Sequence, residues 1–305
     1  MENENRQAFQ DQAAELFYLI FGQCPNGFLE VRSFPQDRTH QRFFSIPLEI
    51  SQAAQFAAGL RDDVFFGVGV RSEPSGTADS VMRLPVFWVD ADDGAMSWIN
   101  FPLAPLAVVN SGHPSDTHFH AYYALNPPYE LMTEAHRERA LDLLRALCTA
   151  FSGDHKSCDL ARVLRVPGTT STKAGRLCTF VEVNRNAGYS VEQIRNAITD
   201  SIIAHHWEKG QRHDLALSLA GYVAKRQVPW DEAKGLLEKL LQLVGDDEQK
   251  DRFKALESSY DRLAKGAARE CNLRRLCWRG ECVTASGGIP CRGGDRPCAY
   301  SERAD

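Results

Sequence analysis

Several things are missing from this 305-residue chain, and each absence closes off a class of function. No apolar run reaches the roughly 18–20 residues that a membrane-spanning helix needs. The first residues, MENENRQAFQ, are acidic and polar, without the basic start and apolar stretch of a secretory leader, so a cytoplasmic protein is the expectation. There is no G-x-x-x-x-G-K-[ST] phosphate loop, so a built-in helicase motor is not expected. Internal repeats and low-complexity tracts are absent as well. Nor is there an excess of positive charge: the formal net charge is −5, which argues against a protein that coats nucleic acid with a basic surface.

What is present is a chain 43% hydrophobic, enough for a real core, with a local basic segment. Between His155 and Arg176 stand Lys156, Arg162, Arg165, Lys173 and Arg176 against one acid, Asp159. Binding to nucleic acid needs such a patch rather than a basic total. Four of the nine cysteines, Cys24, Cys148, Cys158 and Cys178, are scattered and read most simply as small buried hydrophobes. The other five crowd into the end of the chain, which in a reducing compartment points to metal rather than disulfides.

Periodicity gives an α+β pattern over residues 1–205. Helices are expected at Arg6–Phe21, Ser51–Asp62 and Thr133–Phe151. Strands are expected at Gly27–Phe34, Arg42–Pro47, Val64–Arg71, Leu84–Asp92, Leu106–Asn110, His118–Leu125 and Cys178–Val183. Residues 206–267 read as a small helical bundle, with helices at His213–Arg226, Trp230–Val244 and Asp251–Leu263, and residues 268–305 as a Cys-rich tail. Ser190 with Gln193 three residues on marks a helix start by a capping box.

Three motifs carry the chemistry. In Pro85-Val-Phe-Trp-Val-Asp90-Ala-Asp92 an apolar, β-prone run ends in two carboxylates. Side chains alternate along a strand, so Asp90 and Asp92 share a face roughly 6–7 Å apart. Paired carboxylates there suit an oxygen-ligated divalent ion such as Mg²⁺ or Mn²⁺; the plain alternative is a strand running into a turn. In Asn110-Ser111-Gly112-His113-Pro-Ser-Asp116-Thr-His118-Phe-His120-Ala-Tyr122-Tyr123, alternation puts His118, His120 and Tyr122 on one face. Two histidines at this spacing are open to a phosphate-contacting role, a metal role or none. In Asp159-Leu-Ala-Arg162-Val-Leu-Arg165-Val-Pro-Gly168-Thr-Thr-Ser171-Thr172-Lys173, a Pro-Gly turn is surrounded by donors suited to phosphate, and Asp159 is a possible third carboxylate; the alternative is a helix end in which Asp159 and Arg162 simply pair.

In this order the three segments resemble the archaeo-eukaryotic primase superfamily, in particular the primase-polymerases of plasmids, phages and other mobile elements. That family carries a DxD or DxE at a strand end, then an S-G-x-G-x-H-x-Y-W-like segment, then a D-x-x-R-h-h-R-h-P-G-T-x-N-x-K-like segment, where h is apolar. The match spans about residues 25–205. It departs in a longer, more polar turn after Ser111-Gly112 and in Ser171, which stands where the family has Asn.

The resemblance implies an RRM-like primase-polymerase core and two-metal nucleotidyl transfer on single-stranded DNA from NTPs or dNTPs. Asp90, Asp92 and Asp159 would hold Mg²⁺ or Mn²⁺. His120 with Ser111 and Gly112 would contact the triphosphate, and Arg162, Arg165, Thr172 and Lys173 would bind further phosphate. Asp116 and Asp154 are weaker carboxylate candidates. The helical segment, through Ala220-Gly221-Tyr222, Trp230-Asp-Glu-Ala, Asp246-Asp247-Glu248, Arg252 and Tyr260, resembles the family's accessory domain for template binding and initiation. Four of Cys271, Cys277, Cys282, Cys291 and Cys298 could hold Zn²⁺ or a 4Fe-4S cluster. Unwinding would fall to a separate helicase or to a further C-terminal portion. A replication-initiator DNA-binding protein that keeps the fold without primer synthesis is the alternative.

Overall fold

The computed structural model describes residues 2–34, 39–60, 63–92, 95–113, 117–172, 175–207 and 210–264, with the side chains of residues 2–6 left aside. Lys173, Asp116 and the five tail cysteines lie outside the described residues. Among those described, the chain is α+β: seven α-helices and eleven strands, with every strand pair antiparallel.

Helix α1 (Glu2–Phe21) leads into the hairpin β1 (Phe28–Ser33) and β2 (His40–Ser45), then helix α2 (Ile50–Gly59). Strands β3 (Val64–Gly67), β4 (Val70–Arg71), β5 (Val81–Ala91), β6 (Ala107–Asn110) and β7 (Phe119–Glu130) follow, then helix α3 (Glu134–Phe151). Strand β8 (Val163–Arg165), the short hairpin β9 (Thr170–Ser171) and β10 (Arg176–Leu177), and β11 (Thr179–Val183) complete the strands. Helices α4 (Val191–His205), α5 (Arg212–Lys225), α6 (Trp230–Val244) and α7 (Gln249–Ala264) end the described chain. None of these helices is long and apolar enough to cross a membrane.

The main sheet runs β11-β6-β7-β5-β4-β1-β3-β8, with β2 on β1. Its centre is β5, whose residues from Arg83 to Val89 are all buried. A strand covered on both faces reads as an unbroken apolar run, and 84–89 does. Helix α1 covers one region of the sheet through Phe17 and Phe21, whose rings pack on Phe66 at 5.5 and 6.1 Å. Helix α3 starts on Thr133, which accepts from the His136 N–H, and covers β5 with Leu144, Leu147 and Phe151. The Ser190–Gln193 capping box forms as its sequence predicts.

The expected strand Val64–Arg71 is in fact two. A Cβ on Gly69 would lie 2.5 Å from Val81 Cγ1, so the backbone there is pressed against β5. The break lets β4 pair with β5 while β3 pairs with β1 and β8. A second apolar cluster joins Trp207, Ala216, Ala220, Leu237, Leu240, Leu241 and Leu256 from α5, α6, α7 and the end of α4. At its edge, buried Asp246 accepts from Trp207 Nε1 at 2.6 Å and pairs with Arg252 at 3.1 Å.

Candidate active site

Strand register brings the first two motifs together. Ala91 on β5 lies opposite Phe119 on β7, Asn110 on β6 lies opposite Phe119 from the other side, and Thr179 on β11 lies opposite Asn110. The end of β5, the end of β6, the start of β7 and the start of β11 therefore form one rim of the sheet. Asp90 and His120 are directly paired across β5 and β7. Facing cross-strand residues are in contact by construction, and here the pair is a carboxylate and an imidazole.

Asp90 is the most engaged group on this rim. Its Oδ1 lies 3.4 Å from His120 Nε2, and its Oδ2 accepts from Arg162 Nη2 at 2.8 Å. Burial alone would raise the Asp90 pKa. The charge and hydrogen bond of His120, with the Arg162 guanidinium, outweigh it and hold the carboxyl well below the usual carboxylate range. Asp92, two residues on and largely exposed, lies 3.2 Å by Oδ1 from His118 Nδ1. His113 stacks on His118 with ring centroids 3.7 Å apart. Asp90 with His120 and Asp92 with His118 thus make two acid–imidazole contacts.

Ser111 and Gly112 follow β6 on the same rim. The Gly112 N–H donates to Asn110 Oδ1 at 2.8 Å, and its φ is +84°, a conformation that favours glycine. A Cβ on Gly112 would stand 2.7 Å from Ser171 Cβ and 3.0 Å from the Arg176 carbonyl. So the turn of the second motif is packed on the β9–β10 hairpin of the third.

Within the third motif, Asp159–Ala161 forms turns rather than a helix end. The Arg162 N–H bonds back to the Asp159 carbonyl at 3.1 Å, while its side chain reaches across to Asp90. Arg162 Nε is buried without a hydrogen-bond partner. More than a third of the Asp159 side chain meets solvent, yet the atoms packed about its carboxyl raise its pKa, against the opposing charges of Arg162 and Arg71. Arg165 and Thr172 do not point free: both are held by Asp63. Arg165 Nη1 and Thr172 Oγ1 donate to that carboxylate, and the Thr172 N–H donates to it at 2.9 Å. Burial raises the Asp63 pKa, but these hydrogen bonds lower it by more. Asp154 turns inward: its N–H donates to the Asp90 carbonyl at 2.9 Å and its carboxylate accepts from the Lys156 N–H.

Three features escaped sequence reading. Asp63 carries no motif, and only its hydrogen bonds over more than a hundred residues reveal its task. Glu30 and Arg71 form a fully buried ion pair, with Arg32 on the same carboxylate and Arg71 Nη1 on the Thr77 carbonyl at 2.9 Å; their alternation in strands gave no sign of it. The third is the convergence of Cys148, His155 and Cys158, whose ligand atoms all lie within 4.8 Å of one another. Cys24, Cys148 and Cys178 are buried as expected, and Cys158 is half-buried. Among the described residues Asp90, Asp92 and Asp159 form no such convergence.

No protein-family model matches the chain, and no curated protein matches it. Among solved structures, the AEP domain of the cyanophage S-2L primase-polymerase (PrimPol) is similar, with a TM-score of 0.46 and 14% identity, over 62% of this chain and 97% of that one. The catalytic domain of primase RepB', solved in complex with initiator DNA, is similar with a TM-score of 0.43 and 16% identity, over 66% of this chain and 100% of that one. Primase RepB' is similar with a TM-score of 0.42 and 12% identity, over 84% and 99%.

Proposed function

We propose that the chain is a nucleotidyltransferase of the primase-polymerase type, which makes primers and extends them on single-stranded DNA from NTPs or dNTPs. The observation that carries this reading is the Asp90 node. An ionised carboxylate is held at a strand end by His120 on one oxygen and Arg162 on the other, with Ser111-Gly112 on the same rim. Residues from all three motifs, far apart in sequence, meet there.

The donor set fits a hard divalent cation. Asp90 is ionised at neutral pH, and Asp92 is an exposed carboxylate two residues along the same strand direction. Asp90 and Asp92, with Asp159, would hold Mg²⁺ or Mn²⁺, which when bound supplies charge neutralisation of the triphosphate and activation of the attacking 3′-hydroxyl. The chain's own groups do the rest. His120 fixes the orientation of the Asp90 carboxylate and offers a donor beside it. Ser111 and the backbone beside it would contact the triphosphate, held in place by the Gly112 turn that packs on the β9–β10 hairpin. Arg162, whose Nε lacks an acceptor, and Lys173 would offset the negative charge that builds as the hydroxyl attacks the α-phosphorus and pyrophosphate leaves; Arg165 and Thr172 would join them only by giving up Asp63.

One observation favours a second reading, an initiator protein that binds DNA without synthesis. Both Asp90 oxygens are engaged by protein groups, and Arg162 sits where a cation would bind. A primer-synthesis assay separates the two. Wild type, given single-stranded DNA, Mg²⁺ or Mn²⁺ and each nucleotide class in turn, should form dinucleotides and longer primers. Asp90→Asn should form none while still binding DNA. A wild type that makes no product, with DNA binding indifferent to Asp90, would establish the initiator reading instead. Primer extension without initiation would narrow the proposal to a polymerase.

A further inference from the structure

Behind the catalytic rim, Cys148, His155 and Cys158 converge in a way the reading above does not use. Cys148 lies in the last turn of α3 and is buried. The helix stops at Ser152, whose φ of 54° is left-handed, and the N–H groups of Ser152 and Gly153 bond back to its last carbonyls. Gly153 gives the chain room to reverse: a Cβ there would lie 3.0 Å from the Asp90 carbonyl and 3.4 Å from Cys148 Sγ. The Asp154 side chain then starts a tight 3-10 turn at His155–Ser157, and the Cys158 N–H closes it on the His155 carbonyl at 3.2 Å. Three local devices thus return the chain so that two thiols and an imidazole meet.

We propose that Cys148, His155 and Cys158 form a zinc site, of the pattern C-x6-H-x2-C, that clips the end of α3 to the turn that follows it. Their ligand atoms lie within 4.8 Å of one another. Donors around a tetrahedral zinc stand roughly 3.5–3.8 Å apart at Zn–S of about 2.3 Å and Zn–N of about 2.0 Å, so small side-chain shifts close the site. Two thiols and an imidazole select a soft or borderline ion over Mg²⁺ or Mn²⁺. Thr149 Oγ1 donates to the Arg145 carbonyl and faces His155 Nε2 at 3.4 Å. That is the kind of outer contact that orients a ligating imidazole by one nitrogen and leaves the other for the metal. His155 is exposed, so the fourth position is left to water. The link to catalysis is backbone: the Asp154 N–H donates to the Asp90 carbonyl at 2.9 Å, so ordering the turn orders the end of β5. The site stands independently of the polymerase reading.

The tail cysteines are candidate ligands for soft metals themselves, so total zinc alone does not decide the matter. The test is site-resolved alkylation of the full chain under reducing conditions. Cys158, half-buried, is the reporter: iodoacetamide labelling is followed peptide by peptide with zinc, and again after a chelator. Zinc should slow labelling of Cys158 at least tenfold, and the chelator should restore it. His155→Ala, at an exposed position, should abolish the protection and lower bound zinc by one equivalent, leaving the tail cysteines protected as in wild type. Cys158 labelling at the same rate with and without zinc overturns the site, as does full protection in His155→Ala. A Cys148–Cys158 disulfide in the protein purified without reductant, with Cys158 left unprotected by zinc after reduction, overturns it as well.

Discussion

Arg162 occupies the Asp90 oxygen that a divalent ion would take, so removing the arginine should tighten metal binding in the absence of nucleotide. The pair is close, 2.8 Å, and its side chains are only 26% and 17% exposed. Two unit charges at about 3 Å attract by about 5–6 kcal/mol at an effective dielectric near 20, before desolvation is subtracted. The net worth of a charge-assisted hydrogen bond is about 1.5–3 kcal/mol, and partial exposure pulls this pair to the lower part of that range. A metal must displace that interaction or share the carboxylate with a like charge. Arg162→Gln relieves both, by about 1–2 kcal/mol, or roughly 5–30-fold in Kd. The assay is titration of the full chain with Mn²⁺, followed by the electron paramagnetic resonance signal of the free ion. Mn²⁺ prefers oxygen donors, so the tail sulfurs compete poorly. Asp90→Asn should lose the tight site. Arg195→Gln, which removes a surface charge paired with Glu192, controls for net charge and should change nothing. Mn²⁺ binding to Arg162→Gln no tighter than to wild type would refute the reasoning.

Two shorter predictions test the frame around that node. Gly112→Ala forces a Cβ into a left-handed conformation and against Ser171, at a combined cost of about 2–4 kcal/mol, read as a lower urea midpoint; an unchanged midpoint would mean that the 111–112 turn is not packed on the β9–β10 hairpin. Asp90 and Asp63 have folded-state pKa values below their unfolded ones. Their contribution is therefore fully present above the ordinary carboxylate value of about 4 and lost as pH falls below it. Asp159, raised instead, works in the opposite sense. Wild type should consequently lose more stability between pH 6 and pH 3.5 than Asp90→Asn does, and equal losses would show that the Asp90 interactions carry no net weight.

How much of this was legible depended on whether the cause was local. The strand ending in Asp90 and Asp92 was readable because six consecutive buried positions, 84–89, and a period of two are local facts. The α3 start at Thr133 and the α4 start at Ser190 were readable for the same reason: each cap needs only the next three residues. Register was not readable. Nothing in the sequence states that Asp90 faces His120 rather than His118, because that depends on how β5 and β7 align. The side-chain partners of Arg162 and Arg165 were hidden still more deeply. Their charges suggested phosphate, whereas in the folded chain each is paired with a carboxylate from a distant segment, Asp90 or Asp63. Cys148 and Cys158 looked like isolated hydrophobes because the reversal over the nine residues between them is set by a left-handed Ser152 and by Gly153, packed closely on the Asp90 carbonyl.

Those pairings change what the basic segment can do. A patch in which Arg162 and Arg165 are already paired with carboxylates does not attract phosphate as its charge count suggests; those two arginines exchange partners. A metal at Asp90 would release Arg162, whose Nε already lacks an acceptor, to a phosphate. Metal and nucleotide should therefore help each other through this one side chain, beyond the direct bond between ion and triphosphate. Binding couplings of this kind amount to about 1–3 kcal/mol, roughly 5–150-fold, and are reciprocal. Mn²⁺ affinity measured with and without a non-hydrolysable triphosphate gives the coupling in wild type, and the same pair of titrations gives it in Arg162→Gln. Direct ion–phosphate contact survives the substitution, so the coupling should shrink about tenfold rather than vanish. In the same variant the metal alone binds more tightly, so the two effects have opposite signs and a general loss of structure cannot mimic both. An undiminished coupling in Arg162→Gln would leave the arginine as a structural clamp on Asp90 and assign the phosphate charge to other groups.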